Sequence, residues 1–154
     1  MHNPLRIYLD TCCYNRPYDI QNELQVIMET LSKLQIQKLI KDGTLELVGS
    51  QILRYECSNN PSPIRQYTIW KFIEENMKCF VGKERIGVLK PKVVELMKIG
   101  IKEYDAYHVA SAIYAGCDYF ISVDKRLLKH QISEIKIISP INFIIEITNN
   151  GGIK

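Results

Sequence analysis

Asp10, Glu56, Asp105 and Asp124 are the residues of this chain whose types and placement could do chemistry. Each stands at an edge between expected elements, where a side chain can face a shared cleft. Asp10 ends the apolar run Leu5-Arg6-Ile7-Tyr8-Leu9, and Asp124 ends Tyr119-Phe120-Ile121-Ser122-Val123. Glu56 follows Ser50-Gln51-Ile52-Leu53-Arg54-Tyr55, and Asp105 opens Asp105-Ala106-Tyr107-His108-Val109-Ala110-Ser111-Ala112. Carboxylates gathered in this way repel one another unless a hard cation holds them, and Mg²⁺ or Mn²⁺ suits an all-oxygen site. Such a site is suited to metal-dependent phosphodiester hydrolysis. That reaction needs an activated water, in-line placement and neutralised charge on the scissile phosphate. One or two ions supply all three, two of them sitting ~3.5–4 Å apart.

Asp10, Asp124 and Asp105 are the expected direct ligands, with Glu56 as an outer ligand or as the group that orients the attacking water. Each acid alone has a plainer explanation. Asp10 could make a turn after its strand. Asp124 could cap the helix that follows it, and Asp105 could answer a helix dipole. Glu56 could be an ordinary surface glutamate. Their joint placement favours a shared site. Around them, Ser122 could hydrogen-bond a ligand carboxylate or fill an inward strand position. Thr11 could steady the Asp10 loop, and Asn15 could contact substrate or a metal-bound water, or serve the turn. His108 could act as an acid or base, or could simply pack. Arg16, Arg54, Lys125 and Arg126 adjoin these residues in sequence and could form a cationic rim for a sugar-phosphate backbone. Tyr14 could stack on a base.

The elements that must position these groups are legible in the pattern. A strand is expected over 5–9, a loop over 11–18, and a long helix over 21–41 with Leu24, Ile27, Met28, Leu31 and Leu34 at helical spacing, ending at Asp42-Gly43. Residues 44–48 alternate as a half-buried strand does. Ser50 can cap a short helix that stops before Asn59-Asn60-Pro61. A helix is expected over 64–77 and an extended piece near 79–82. Pro91 reads as the first residue of a helix over 91–99 closed by Gly100. A helix over 103–115 stops at Gly116. Strand 118–123, a basic helix from Lys125 to His130 and a strand over 134–138 follow. The tail, 149–154, is expected to fray. Strands alternating with helices predict an α/β domain with a mainly parallel sheet covered on both faces. Ligands of such sheets gather outside the strands' carboxyl ends, where strand order reverses.

With 154 residues, 46% of them apolar and 24% charged, the chain is the size of one globular domain, and disorder is excluded. A net charge of +3 neither predicts nor opposes nucleic-acid binding. The five cysteines are odd in number and lack C-x-x-C spacing, which argues against a zinc ribbon and a secreted disulfide framework. Residues 1–7 hold no apolar core of the ~7–15 residues a signal peptide needs, and no run approaches the ~18–20 of a membrane span. Reduced thiols, a cytoplasmic location and no membrane partner are expected. No Walker A, G-x-S-x-G, H-E-x-x-H or G-x-G-x-x-G pattern occurs, so no nucleotide cofactor is expected.

Together these strings resemble the PIN-domain family, metal-dependent ribonucleases that include VapC-type toxins. Ile7-Tyr8-Leu9-Asp10-Thr11 is similar to the family's opening, and Glu56 in its short helix to the second acid. Asp105 to Ala112, followed by Ala115-Gly116-Cys117-Asp118, is similar to the third block, and Ile121 to Leu127 to the fourth. Ile137-Ile138-Ser139-Pro140-Ile141-Asn142-Phe143 resembles a closing strand and Pro-x-x-F turn. The likeness covers about 5–145 and leaves 60–95 unmatched. The loop Cys12-Cys13-Tyr14-Asn15-Arg16-Pro17 departs from the usual toxin loop. What the resemblance implies is a single PIN-like domain over 1–154 with strand order 3-2-1-4-5, placing the Asp10 and Asp124 strands side by side. It implies a Mg²⁺/Mn²⁺-dependent endoribonuclease with RNA as substrate. The toxin of a toxin–antitoxin pair is one setting, with an antitoxin protein and a homodimer as further partners. The rivals are an RNA-processing nuclease without antitoxin and a non-catalytic RNA-binding or protein-interaction module of the same fold.

Overall fold

A computed structural model describes residues 4–150. Five parallel strands form one sheet in the order β3-β2-β1-β4-β5: β1 Leu5–Leu9, β2 Leu45–Ser50, β3 Met77–Val81, β4 Tyr119–Ile121 and β5 Lys136–Ile138. The order reverses at β1, which lies between β2 and β4 with Tyr8 paired to Val48 and to Phe120. Alternation along the strands divides the core into two layers. Ile7, Leu9, Leu47 and Ile121 pack on one face with helices α2 (Leu24–Lys41), α4 (Pro63–Asn76) and α8 (Pro140–Asn149). Tyr8, Val48 and Phe120 pack on the other with α5 (Ile86–Lys98) and α6 (Glu103–Tyr114). The expected α/β architecture and strand order are those observed.

Local chemistry sets most boundaries. Ser50 caps α3 (Gln51–Ser58) by accepting the Leu53 amide at 3.1 Å, as its position predicts. Gly43, Gly100 and Gly116 end α2, α5 and α6 at φ of 85°, 104° and 75°, a left-handed region that costs other residues dearly.

Four expectations give way. The segment 11–18 is not a loop: α1 (Thr11–Asn15) and a 3-10 turn (Arg16–Tyr18) occupy it, because Asp10 accepts the Thr11 amide and starts a helix at once. Helix α5 begins at Ile86, a turn and a half before Pro91, since burying Leu89 with Val93 and Leu96 requires the earlier turn. The amide missing from Pro91 would have served Gly87, whose exposed carbonyl can turn to solvent. Residues 140–149 form a full helix capped by Ser139, because Pro140 is preset for a first turn and Phe143 and Ile147 recur at helical spacing into the core. Of the tail, Asn149 ends that helix; 151–154 lie outside the described residues.

Helix α2 starts at Leu24, three residues later than expected, and turns an unexpected face inward. Leu24, Met28, Leu31 and Leu34 are exposed, while Glu29, Lys33, Ile36 and Ile40 are buried. Arg16 Nε holds Glu29 at 2.9 Å, and the Lys33 ammonium lies 5.5 and 5.8 Å from the ring centres of Tyr14 and Phe72 while bonding Gln37 at 2.7 Å. Apolar spacing predicts the helix but not which of its faces packs.

Burial pushes the Lys33 ammonium from its ordinary 10.5 down to about 8, the Lys41 charge adding to it and Cys13 opposing it. Between those pH values the unfolded chain binds more protons here than the folded one, so stability rises with pH through that window and the cost is full below it. Lys33→Met is expected to raise stability at pH 7 by roughly 1–2 kcal/mol, after allowing for the cation–π attraction to Tyr14 and Phe72 that the substitution removes. The gain should shrink as pH climbs through the window. Denaturant melts of both proteins across that range check the sign, and a gain independent of pH would contradict it.

Candidate functional site

The strand ends bring the acids together. The Asp10 amide bonds the Ile121 carbonyl at 2.9 Å, which carries the β1–β4 ladder one residue past β1 and sets Asp10 against Ser122. Ser122 Oγ donates to Asp10 Oδ2 at 2.9 Å and accepts the Asp124 amide at 3.0 Å, so one buried hydroxyl couples both strand ends. Asp10 Oδ1 accepts the Thr11 amide at 2.8 Å. Asp124 caps α7 (Lys125–Leu128) through Oδ1 and the Arg126 amide, leaving Oδ2 without a protein donor among the described residues. Capping and cleft duty therefore coincide in Asp124. Asp10, Glu56, Asp105 and Asp124 line one open cleft of about 440 Å³ with Thr11, Cys12, Tyr55, Asn59 and Tyr104.

Glu56 is tied from below. Its Oε1 accepts Thr11 Oγ1 and His108 Nε2, each at 2.6 Å. His108 is wholly buried, and its Nδ1 lies 2.5 Å from Tyr8 Oη, which lies 2.6 Å from Ser50 Oγ. A proton on Nε2 makes His108 donate to Glu56 and accept from Tyr8, and Tyr8 then accepts from Ser50. With both nitrogens protonated, Tyr8 turns to donate to Ser50; the chain serves both states. Asp10, Glu56 and His108 place ligand-type atoms within 4.8 Å of one another. Both ring nitrogens are already engaged, so His108 holds Glu56 rather than standing free as a ligand.

The electrostatics follow. Burial would raise the Glu56 carboxyl, but the bond and charge of His108 and the Thr11 hydroxyl outweigh it and hold it below the ordinary carboxylate range. Burial would lower His108, but the Glu56 bond and the charges of Asp10, Glu56 and Asp105 carry it above 6.5. Asp105 differs: burial and then the Asp10 charge push it up, His108 opposes, and Asp124 and Glu56 add to the rise. Its half-buried carboxylate takes no hydrogen bond from the described residues. The cleft lining has four carboxylates and no lysine or arginine. Arg126 only approaches Asp124 from a 69% exposed position at 3.7 Å, which screens little. Hard oxygen donors in mutual repulsion fit a divalent cation of the Mg²⁺ or Mn²⁺ kind.

The flanking residues divide. Thr11 and Ser122 make the supporting bonds described above. Asn15 bonds the Thr11 carbonyl at 3.2 Å and accepts Asn60 Nδ2 at 2.9 Å, a brace between α1 and the end of α3. Lys125, Arg126 and Arg54 are exposed, Arg54 resting 5.5 Å over the Trp70 ring. Two expectations are corrected. Tyr14 is 1% exposed in the core, so its ring cannot stack on a base. The Arg16 guanidinium is held by Glu29 and by Asp19 at 2.8 Å, which commits it to fixing α2 rather than to a rim. Tyr8 and Ser50, which hold His108 in place beneath the cleft, are missed by sequence reasoning. The available signal is a tyrosine between two apolar residues, Ile7 and Leu9, of an inner strand, and a histidine on the buried face of α6; each implies a buried partner.

No protein-family model matches the sequence, and no curated protein matches it. The fold is similar to that of a chain in the crystal structure of VapBC2 from Rickettsia felis bound to a DNA fragment from their promoter. The TM-score is 0.57 over 88% of this chain and 98% of that one, at 13% identity. With the strand order, that likeness defines a PIN-like fold.

Two stability measurements on metal-free protein test these electrostatics. The His108 contribution is full below pH 6.5 and is lost as pH rises through its elevated folded value. The Glu56 contribution is present above 4.5 and lost as pH falls through its depressed one. The stability difference between wild type and Glu56→Gln should therefore peak between about pH 4.5 and 6.5; a difference that grows towards pH 9 would refute the pairing. Asp105 has the opposite sign: because its folded pKa is raised, ionisation at neutral pH destabilises the metal-free fold. Asp105→Asn should melt at or above the wild-type temperature at pH 7 and lose that advantage below pH 3.8. A lower melting temperature at pH 7 would make Asp105 a structural group.

Proposed function

We propose that this chain is a Mg²⁺- or Mn²⁺-dependent endoribonuclease, with Asp10, Asp105 and Asp124 holding the cation and Glu56 orienting the attacking water. The observation that carries this reading is Asp105: a half-buried carboxylate with no protein donor among the described residues, facing three other acids in a cleft lined by no lysine or arginine. The bound cation would supply charge neutralisation at the scissile phosphate and a more acidic water. The protein's own groups do the positioning. Ser122 and the Thr11 amide fix the two Asp10 oxygens, so little reorganisation remains when substrate arrives. His108 and Thr11 occupy Glu56 Oε1, leaving Oε2 as the acceptor for a water proton. A depressed pKa keeps Glu56 ionised in that role. Exposed Lys125, Arg126 and Arg54 would meet the RNA backbone.

The similar VapBC2 structure is of a complex, which supports a protein partner of the antitoxin kind and the toxin setting over an unpartnered processing nuclease. Co-purification with the product of a short adjacent reading frame tests that setting.

Asp10→Asn and Asp124→Asn should each remove Mn²⁺-dependent cleavage of single-stranded RNA while the protein stays folded. Ser122→Ala, acting through Asp10, should cost ~10–100-fold. Mn²⁺ at a hundredfold excess over Kd should stabilise wild type by about 2.7 kcal/mol, and Asp10→Asn should blunt the shift. Equal shifts in both would place the metal elsewhere. Replacing Arg54, Lys125 or Arg126 by alanine should weaken RNA binding across unrelated sequences and reduce the salt slope by about 0.7 for each phosphate no longer met. Unchanged slopes in all three would move the RNA to another face.

A further inference from the structure

We propose that an apolar pocket beside the acid cleft is a base-binding subsite that takes one unstacked nucleobase of the RNA strand. The proposal rests on the ribonuclease reading and adds the group that selects the cleavage position. The pocket, of about 270 Å³, lies between α3, α5 and α6 and is walled by Ile52, Tyr55, Ile86, Leu89, Tyr104 and Tyr107. That is below the ~300–1,000 Å³ of a drug-sized site, so it suits a single ring system rather than a length of chain.

Three observations point to a base. Tyr55 and Tyr104 line both this pocket and the acid cleft, so the two hollows share a wall. Each tyrosine directly precedes a cleft acid, Glu56 or Asp105, and therefore rims the place where a phosphate would sit. The wall is left wet: Tyr55, Tyr104 and Ile86 are 46%, 50% and 42% exposed, and the two tyrosine rings meet edge to face at 6.0 Å and 74°. Finally, no charged residue lines the pocket, which excludes a second phosphate or a carboxylate and favours a neutral, planar ligand. The lining also includes Gln51, whose amide has no partner among the described residues and offers both a donor and an acceptor to a base edge. A nucleotide carries a charged phosphate and a neutral aromatic ring a short distance apart, matching an acid cleft that would hold a divalent cation and shares a wall with an aromatic pocket. Stacking on tyrosine tolerates any base, and the amide of Gln51 would bias the choice.

The test uses short single-stranded RNA oligomers carrying one fluorescent purine analogue, moved position by position, with Ca²⁺ in place of Mn²⁺ to hold the complex without turnover. At one register relative to the cleavage point the analogue should change in fluorescence on binding. An abasic nucleotide there should weaken binding on the order of tenfold. Ile86→Trp fills the pocket mouth without touching the acid cleft; it should abolish both effects and leave the Mn²⁺-induced shift in melting temperature intact. Gln51→Ala should keep the stacking signal and flatten the preference among bases. If wild type cleaves RNA but no register responds, or if Ile86→Trp changes neither effect, the subsite is wrong and the nuclease stands. If Mn²⁺ gives neither a stability shift nor cleavage, the nuclease reading fails and the subsite with it. If Ile86→Trp disrupts only the binding of a co-purifying protein, the pocket docks a polypeptide and the proposal is overturned.

Discussion

The buried hydrogen-bonded chain from Ser50 through Tyr8 and His108 to Glu56 is the constraint on which the site depends. It crosses four elements: the end of β2, the middle of β1, the core face of α6 and the cleft face of α3. A wholly buried imidazole and a buried phenol each cost a few kcal/mol if left unpaired. The chain removes that cost only when all four elements stand in register. Ser50 serves twice, because the hydroxyl that meets Tyr8 also caps α3 and so fixes the helix carrying Glu56. Tyr8 is held in turn by stacking on Phe120, ring centres 5.2 Å apart and planes within 9°. Packing thus fixes the phenol, the phenol fixes the imidazole, and the imidazole fixes the carboxylate.

The opposite edge of the cleft works by a different balance. Asp10 is buried yet satisfied, by Thr11 and Ser122, whereas Asp105 is half buried and unsatisfied. The fold therefore gives Asp10, Glu56 and Asp124 donors of its own and leaves the fourth acid, Asp105, without one among the described residues. Such a division is costly for the metal-free protein and useful for a cation site. Groups pre-set by neighbours need no reorganisation, and the unpaired group supplies the affinity. Two buried thiols next to cleft residues in sequence are passive by comparison: burial pushes Cys57 up to about 12, and Cys13 is likewise raised, so neither competes as a thiolate ligand at neutral pH.

How far the sequence discloses this depends on whether the signal is local. The parallel sheet and three of the acids are legible because Asp10 and Asp124 end strand runs and Asp105 lies in the first turn of a helix; strand order and the place of Glu56 in the set follow from the resemblance to PIN domains. The glycine stops after α2, α5 and α6 are legible for the same reason: a left-handed residue is a local requirement. The inward face of α2 is not, since Leu24, Met28 and Leu31 form the better apolar stripe and yet lie outside. Only the tertiary partners Arg16, Tyr14 and Phe72 make Glu29 and Lys33 tolerable inside. Tyr14 and Arg16 mislead on the same account, as loop position suggests exposure where a helical turn buries one and pairs the other. His108 stands in plain view on α6, but its role requires knowing that Tyr8 and Glu56 approach it from residues 100 and 52 positions away.

Helix α3 shows why so short an element carries so much of the surface. Over eight residues it turns Tyr55 and Glu56 to the acid cleft, while Arg54, Cys57 and Ser58 line a groove against α4. At 3.6 residues per turn those two sets lie on nearly opposite faces, separated by about one helix diameter, ~10 Å. Rotation of α3 about its own axis would sweep the Glu56 carboxylate and the Arg54 cation over Trp70 in opposite directions. Its fixed points are the Ser50 cap at the start and, just past the end, Asn60 bonding Asn15 at the close of α1. The α1 segment that departs from the toxin-type loop is therefore the same segment that pins the far end of α3. Its sequence is constrained by that brace and by the burial of Cys13 and Tyr14, which is a structural reason for the departure that leaves the acid cleft intact.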